Sequence, residues 1–121
     1  MSTRVSAALL AVADQDVMVE FFVSVLGFEL TTDAEMWPGA RWVDVTPPGG
    51  QTRVVLSAAK DFDREPDRHY PMIFETPDVD AEAARLRGAG LEVTGPTTEG
   101  WGTYVRLSDP EGRELMIAQR G

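Results

Sequence analysis

The sequence predicts an α+β fold made of two βαβββ modules, and three features carry that prediction. Apolar runs of strand length alternate with two helix-like segments in the order strand, helix, strand, strand, strand. That order occurs twice, with matching punctuation at offsets of 64, 63 and 62 residues: Leu10 with Phe74, Asp14 with Asp78, Gly27 with Gly90, and Pro48 and Gly50 with Pro110 and Gly112. The length of 121 residues, 43% hydrophobic and 26% charged, suits a single globular domain over 1–121 and argues against a disordered or multidomain chain.

Each element has a local reason. Val5 to Ala13 is an apolar run, and the Asp14, Gln15, Asp16 that follow supply helix N-cap chemistry. Arg4 followed by Val5 to Val12 also imitates a short signal peptide, but one Arg and so short a run fit a first strand better. From Asp16 to Leu26 the polar residues Asp16, Glu20 and Ser24 fall four apart, giving a helix with one polar stripe, and Gly27 supplies its left-handed stop. Phe28 to Thr32, Arg41 to Thr46 and Thr52 to Ser57 read as strands, the last two joined by a turn at Pro47-Pro48-Gly49-Gly50. The first module thus spans 4–58.

Residues 59–70, charged over Lys60 to Arg68, are expected to be a linker. The second module, 71–119, has strands at Met72 to Thr76, Leu91 to Thr94, Thr103 to Ser108 and Glu114 to Ala118. Its helix opens at Thr76-Pro77-Asp78, carries Val79, Ala83 and Leu86 on one face, and ends at Gly88 to Gly90.

Eleven basic against twenty acidic residues give a net charge of −9, which disfavours nucleic acid and anionic membrane surfaces as partners. The absence of cysteine removes disulfides and thiolate chemistry, and one histidine cannot build a multi-imidazole zinc site in one chain. No stretch approaches the roughly 20 apolar residues of a membrane span, so a soluble, cytoplasmic protein is expected.

The helix ending Val25-Leu26-Gly27-Phe28-Glu29-Leu30, the late turn Asp109-Pro110-Glu111-Gly112-Arg113 and the paired modules resemble the vicinal oxygen chelate superfamily of glyoxalases, bleomycin resistance proteins and extradiol dioxygenases. The resemblance covers nearly the whole chain. It implies curved, mixed but mainly antiparallel sheets around a cup, often completed across a dimer. It fixes the fold better than the reaction.

Enzymes of that superfamily hold a divalent metal through His, Gln or Glu from the first and last strand of each module. The matching positions here are Ala7, Val55 (or Val54), Pro71 and Met116, and a one-residue shift brings only Ala8, Met72, Leu115 or Ile117. None of these side chains ligates a hard or borderline cation, so neither a metal nor another cofactor is expected.

Strand alternation separates two faces. Leu10, Val12, Val43, Val45, Val54, Leu56, Phe74, Val105, Leu107, Leu115 and Ile117 form the helix-packed face. The opposite face carries Ala7, Leu9 and Ala11; Trp42 and Asp44; Arg53, Val55 and Ser57; Pro71, Ile73 and Glu75; Tyr104 and Arg106; and Glu114, Met116 and Ala118. A ligand on that face would meet Trp42, Asp44, Arg53, Glu75, Tyr104, Arg106 and Met116, with Trp37 and Trp101 in equivalent rim loops.

Each assignment has a plainer rival. Asp44, Glu75 and Glu114 either act as bases or select a cation, or they form cross-strand ion pairs with Arg53 and Arg106. The tryptophans either stack on a ligand or cap the core or a dimer contact, and His69 either joins Glu75 and Glu114 as an atypical metal site or is solvated.

Together these point to a metal-independent protein that binds a hydrophobic, aromatic or cationic small molecule such as an antibiotic. The alternative is a glyoxalase- or dioxygenase-like enzyme using a metal-free base or the atypical site. A homodimer is expected as well, because Val19, Phe22, Val23 and Leu26 give the first helix more apolar surface than one sheet needs.

Overall fold

The computed structural model describes residues 2–121. The chain divides into two compact units, Met1–Pro71 and Met72–Gly121.

The first unit runs β1 (Ala7–Val12), α1 (Gln15–Glu20) continued by a π-helical turn Phe21–Val25, β2 (Glu29–Trp37), β3 (Ala40–Thr46), β4 (Arg53–Ala58) and a short 3-10 helix Ala59–Phe62. Its four strands lie in the order β1-β4-β3-β2, with β1 parallel to β4 and the other pairs antiparallel. The second unit repeats this with β5 (Phe74–Glu75), α2 (Val79–Gly88), β6 (Thr94–Glu99), β7 (Gly102–Ser108) and β8 (Glu114–Arg120), ordered β5-β8-β7-β6. Its first strand is again parallel to its last. The predicted fold class and the internal repeat are therefore both present.

Both helices begin as their sequences dictate. The Asp14 carboxylate accepts from Val17 N–H at 3.1 Å and the Asp78 carboxylate from Ala81 N–H at 3.0 Å, satisfying first-turn donors that have no helical partner. Gly27 at φ 79° leaves the helical turn in a conformation that costs other residues a steric penalty.

The helix-packed face is buried as the alternation implies. Leu10, Val12, Val43, Val45 and Leu56 are fully enclosed with Met18 and Phe22, and each such side chain contributes roughly 1.5–3 kcal/mol relative to exposure. In the second unit Val79, Ala83 and Leu86 of α2 are buried, as are Val105, Leu107, Leu115 and Ile117 of the sheet, while Phe74 is half-buried.

Several expectations are corrected. The second strand continues to Trp37 rather than stopping at Thr32, and the strand expected at Leu91 to Thr94 lies instead at Thr94–Glu99. Both are sheet-edge strands exposed along most of their length, so neither shows the alternation by which a half-buried strand is recognised. Pro96 is tolerated in β6 for the same reason, because an edge strand has one side without ladder partners. The strand expected over Met72 to Thr76 contracts to Phe74–Glu75.

The first helix also differs. It continues into a π-helical turn, and Phe21 and Phe22, three and four residues after the buried Met18, share its inward face and are buried. The apolar strip expected from Val19, Phe22, Val23 and Leu26 is therefore broken at its centre. Residues 59–70, expected as a linker, are tied to the first unit: Asp67 brackets Ala11, its carboxylate accepting from Ala11 N–H at 2.9 Å and its own N–H donating to Ala11 O at 2.9 Å.

Candidate ligand-binding site

The strand face opposite α1 holds the most distinctive chemistry of the first unit. Trp42 and Asp44 stand two residues apart on β3 and project to one face of the sheet. The Trp42 indole N–H donates to Asp44 Oδ2 at 3.0 Å, Thr31 Oγ1 donates to Asp44 Oδ1, and Arg53 Nη1 lies 3.6 Å from Oδ2. Asp44 is 0% exposed. Burial alone would raise its pKa, but the hydrogen bonds from Thr31, Trp42 and Thr32 and the Arg53 charge outweigh it and hold the carboxyl below its ordinary value.

This corrects the expectation for Asp44. A fully enclosed carboxylate with donors on both oxygens and a lowered pKa is a poor proton acceptor and presents no surface to a cation. Its work is positional: it fixes the indole of Trp42, a residue that remains 38% exposed, and it pairs with Arg53.

Beside Trp42 lies an open cavity of about 200 Å³. Leu9 and Val55 line it from β1 and β4, Met36 from β2, and Phe62 and Arg64 from the segment after β4. Leu9 is 51% exposed and Phe62 47% exposed, both far more than an ordinary core position. Trp37 meets Phe62 edge-on, with ring centroids 5.8 Å apart at 80°. Sequence reasoning missed Phe62, although one aromatic between Lys60-Asp61 and Asp63-Arg64 in a charged stretch was the available signal.

In the second unit Tyr104 and Arg106 occupy β7. Trp101 stacks on Tyr104 at 5.5 Å and 8°, and the Arg106 guanidinium lies 5.1 Å from the centre of the Tyr104 ring. Arg106 Nε is 3.7 Å from Glu114, and Arg120 Nε is 3.7 Å from Glu75. Both carboxylates are solvent-exposed, so these are loose surface pairs. Met116, half-buried on β8, pairs with Arg106 across the sheet.

The two Trp-bearing segments are not equivalent. Trp37 ends β2 opposite Ala40, whereas the residue opposite Gly102 at the same place in the second sheet is Glu99. Trp101 occupies the turn position that Gly39 holds in the first unit, and its ring is engaged by Tyr104.

The family metal positions can be tested against this geometry. Ala7 pairs with Arg53 and Leu9 with Val55, so Ala7 and Val55 share the strand face of Trp42 without a lone pair between them. Met116 is a thioether, and Pro71 precedes β5 with no donor side chain. This set does not fit a divalent ion. Among the described residues no three His, Asp or Glu side chains cluster in a way that could hold a metal. His69 is exposed. No helix is long and apolar enough to cross a membrane.

Fold, repeat and strand-face site together define a vicinal oxygen chelate architecture, and comparison with known proteins agrees. The model of the Glyoxalase/Bleomycin resistance protein/Dioxygenase superfamily matches residues 4–117, and the chain belongs to that superfamily. It is similar in structure to TnmS3, an antibiotic binding protein from Streptomyces sp. CB03234, at 31% identity and a TM-score of 0.85, covering 99% of this chain and 98% of that one. A superfamily member from Sphaerobacter thermophilus DSM 20745 is 30% identical with a TM-score of 0.88 over 98% of both chains. YetH of Bacillus subtilis is 26% identical over 120 residues, 98% of this chain and 100% of YetH.

Proposed function

We propose that the protein is a metal-independent small-molecule-binding member of its superfamily that sequesters an aromatic, hydrophobic compound, an antibiotic or similar natural product. The observation that carries the reading is the open cavity beside Trp42, where the first unit leaves Leu9, Phe62 and an oriented indole in contact with solvent. A soluble domain gains nothing from leaving such groups exposed, and a planar ligand would cover them. At about 200 Å³ the cavity takes a one- or two-ring group, so a larger compound would rest only its aromatic part there. The antibiotic-binding character of TnmS3 favours the same reading.

Binding without turnover needs no activated group, and the residues at the family's ligand positions supply none. The metal-free enzyme alternative draws no support from Asp44, for the reasons of burial and charge given above.

The protein is further proposed to act as a cytoplasmic homodimer. With the helix strip interrupted by the buried Phe22, the support comes from Ile73, exposed next to the half-buried Phe74 and away from the cavity lining. Light scattering at micromolar concentration should give about twice the 13.3 kDa chain mass, and a mass of one chain would end this part of the proposal.

Metal independence is tested by elemental analysis with calorimetric titration of Zn, Ni, Mn and Fe(II). No stoichiometric metal and no loss of melting temperature with chelator are expected. One equivalent of tightly held metal would overturn the reading.

A further inference from the structure

The cavity beside Trp42 also has a charge preference, and it is opposite in sign to the one suggested by the chain's overall acidity. The charged side chains that line it are Arg41 and Arg64, and no carboxylate is among the lining residues. Arg41 is spent: its Nε and Nη2 donate to the two oxygens of Asp33 at 3.0 and 2.9 Å, and its Nη1 donates to Asp16 at 3.0 Å. Arg64 is different. Its Nη2 donates to Asp67 at 3.2 Å, which leaves Nε and Nη1 with no carboxylate partner among the described residues, and its side chain is half exposed. Asp44, two residues from Trp42 on β3, is fully buried, accepts from the Trp42 indole and is answered by Arg53.

We infer that the site selects aromatic compounds that are neutral or carry an anionic oxygen, such as an aromatic carboxylate, and that Arg64 is the specificity-determining residue. This rests on the binding reading above. The ring is held against Trp42, Leu9 and Phe62, and the free edge of the Arg64 guanidinium meets the acidic group at the cavity wall. The net charge of −9 acts mainly at distance and is screened beyond about 8 Å at physiological salt, whereas a contact inside the cavity is screened much less. Local charge therefore decides which compound stays bound.

Three bicyclic probes of one shape separate the possibilities: 2-naphthol, 2-naphthoate and (2-naphthylmethyl)trimethylammonium, titrated calorimetrically into the full chain at 0.15 M salt and pH 7. The naphthol and naphthoate are expected to bind, with the ammonium compound weaker than naphthol by about threefold or more. Arg64→Gln should weaken naphthoate by about three- to tenfold while leaving naphthol nearly unchanged, and Arg64→Lys should restore most of the loss. An ammonium probe that binds as well as naphthoate, or a naphthoate affinity indifferent to Arg64→Gln, overturns the charge inference alone. Failure of all three probes to bind overturns the binding reading and this inference with it.

Discussion

The two sheets are built to the same register, and two equivalent places in it, beside an equivalent aromatic, carry opposite charge. Val55 precedes the β4 residue paired with Leu10 and lies opposite Asp44, while Met116 precedes the β8 residue paired with Phe74 and lies opposite Arg106. Asp44 therefore corresponds to Arg106, Trp42 to Tyr104 and Arg53 to Glu114. In the first unit an acid under an aromatic faces a base 3.6 Å away, and in the second a base beside an aromatic faces an acid 3.7 Å away.

The difference is one of burial as well as sign. Asp44 is enclosed and saturated with donors, whereas Arg106 and Glu114 are both substantially exposed. A saturated buried carboxylate fixes its neighbours, so Trp42 becomes a rigid wall. A solvated pair restrains little, and Tyr104 owes its position to Trp101 and Arg106 instead.

The turns before the last strands differ in the same way, and they offer the largest test. Pro47 to Gly50 closes with one backbone bond, Gly50 N–H to Pro47 O at 2.9 Å. The matching turn in the second unit buries Arg113 between Asp109, at 2.9 Å, and Glu111, at 2.6 Å, while Asp109 also accepts from the N–H groups of Glu111 and Arg113. Removing one partner of a buried pair strands the other, so Arg113→Ala should cost about 3–5 kcal/mol in urea unfolding. Pro48→Ala in the first turn should cost less than about 1 kcal/mol. Equal costs would show that the ionic turn is not structurally special.

Next in size is the inverted pair itself. Asp44→Ala removes the buried acceptor of the Trp42 indole N–H and the carboxylate that faces Arg53, and should cost about 1–3 kcal/mol, whereas Glu114→Ala, at an exposed pair, should cost less than about 1 kcal/mol. Similar values for the two would erase the distinction between rigid and solvated copies.

A smaller effect follows from pH. Because the folded pKa of Asp44 is held below its ordinary value of 3.8, the stability it contributes is fully present above that pH and is lost as pH falls through the folded value. Unfolding curves of the native chain and Asp44→Asn should therefore converge as pH drops below 3.8, and a gap that widens there would contradict the assignment.

Much of this architecture is written in local sequence. The capping pair Asp14 and Asp78, the stops Gly27 and Gly90, and the alternation of Val43, Val45, Leu56 and Val105 all act through neighbours a few residues away, and each is found where its pattern puts it. The far end of the edge strand Glu29–Trp37 and the position of Thr94–Glu99 escaped because strands exposed along most of their length leave no alternation to read.

The site was legible only as a face. Alternation places Asp44 beside Trp42, but one of its oxygens is satisfied by Thr31 from a neighbouring strand, and no spacing within β3 encodes that. Phe62 was hidden by the charge around it, since its contact with Trp37 spans 25 residues of sequence.

The central claim is that the first sheet, with its fixed indole, is the binding wall and the second is not. It is tested most directly by titrating 2-naphthol into the native chain, Trp42→Ala and Tyr104→Ala, with chelator present throughout. Binding should survive chelation, fall by about fivefold or more in Trp42→Ala, and stay within about twofold in Tyr104→Ala. Loss of binding with chelator, or a larger loss in Tyr104→Ala than in Trp42→Ala, would contradict it.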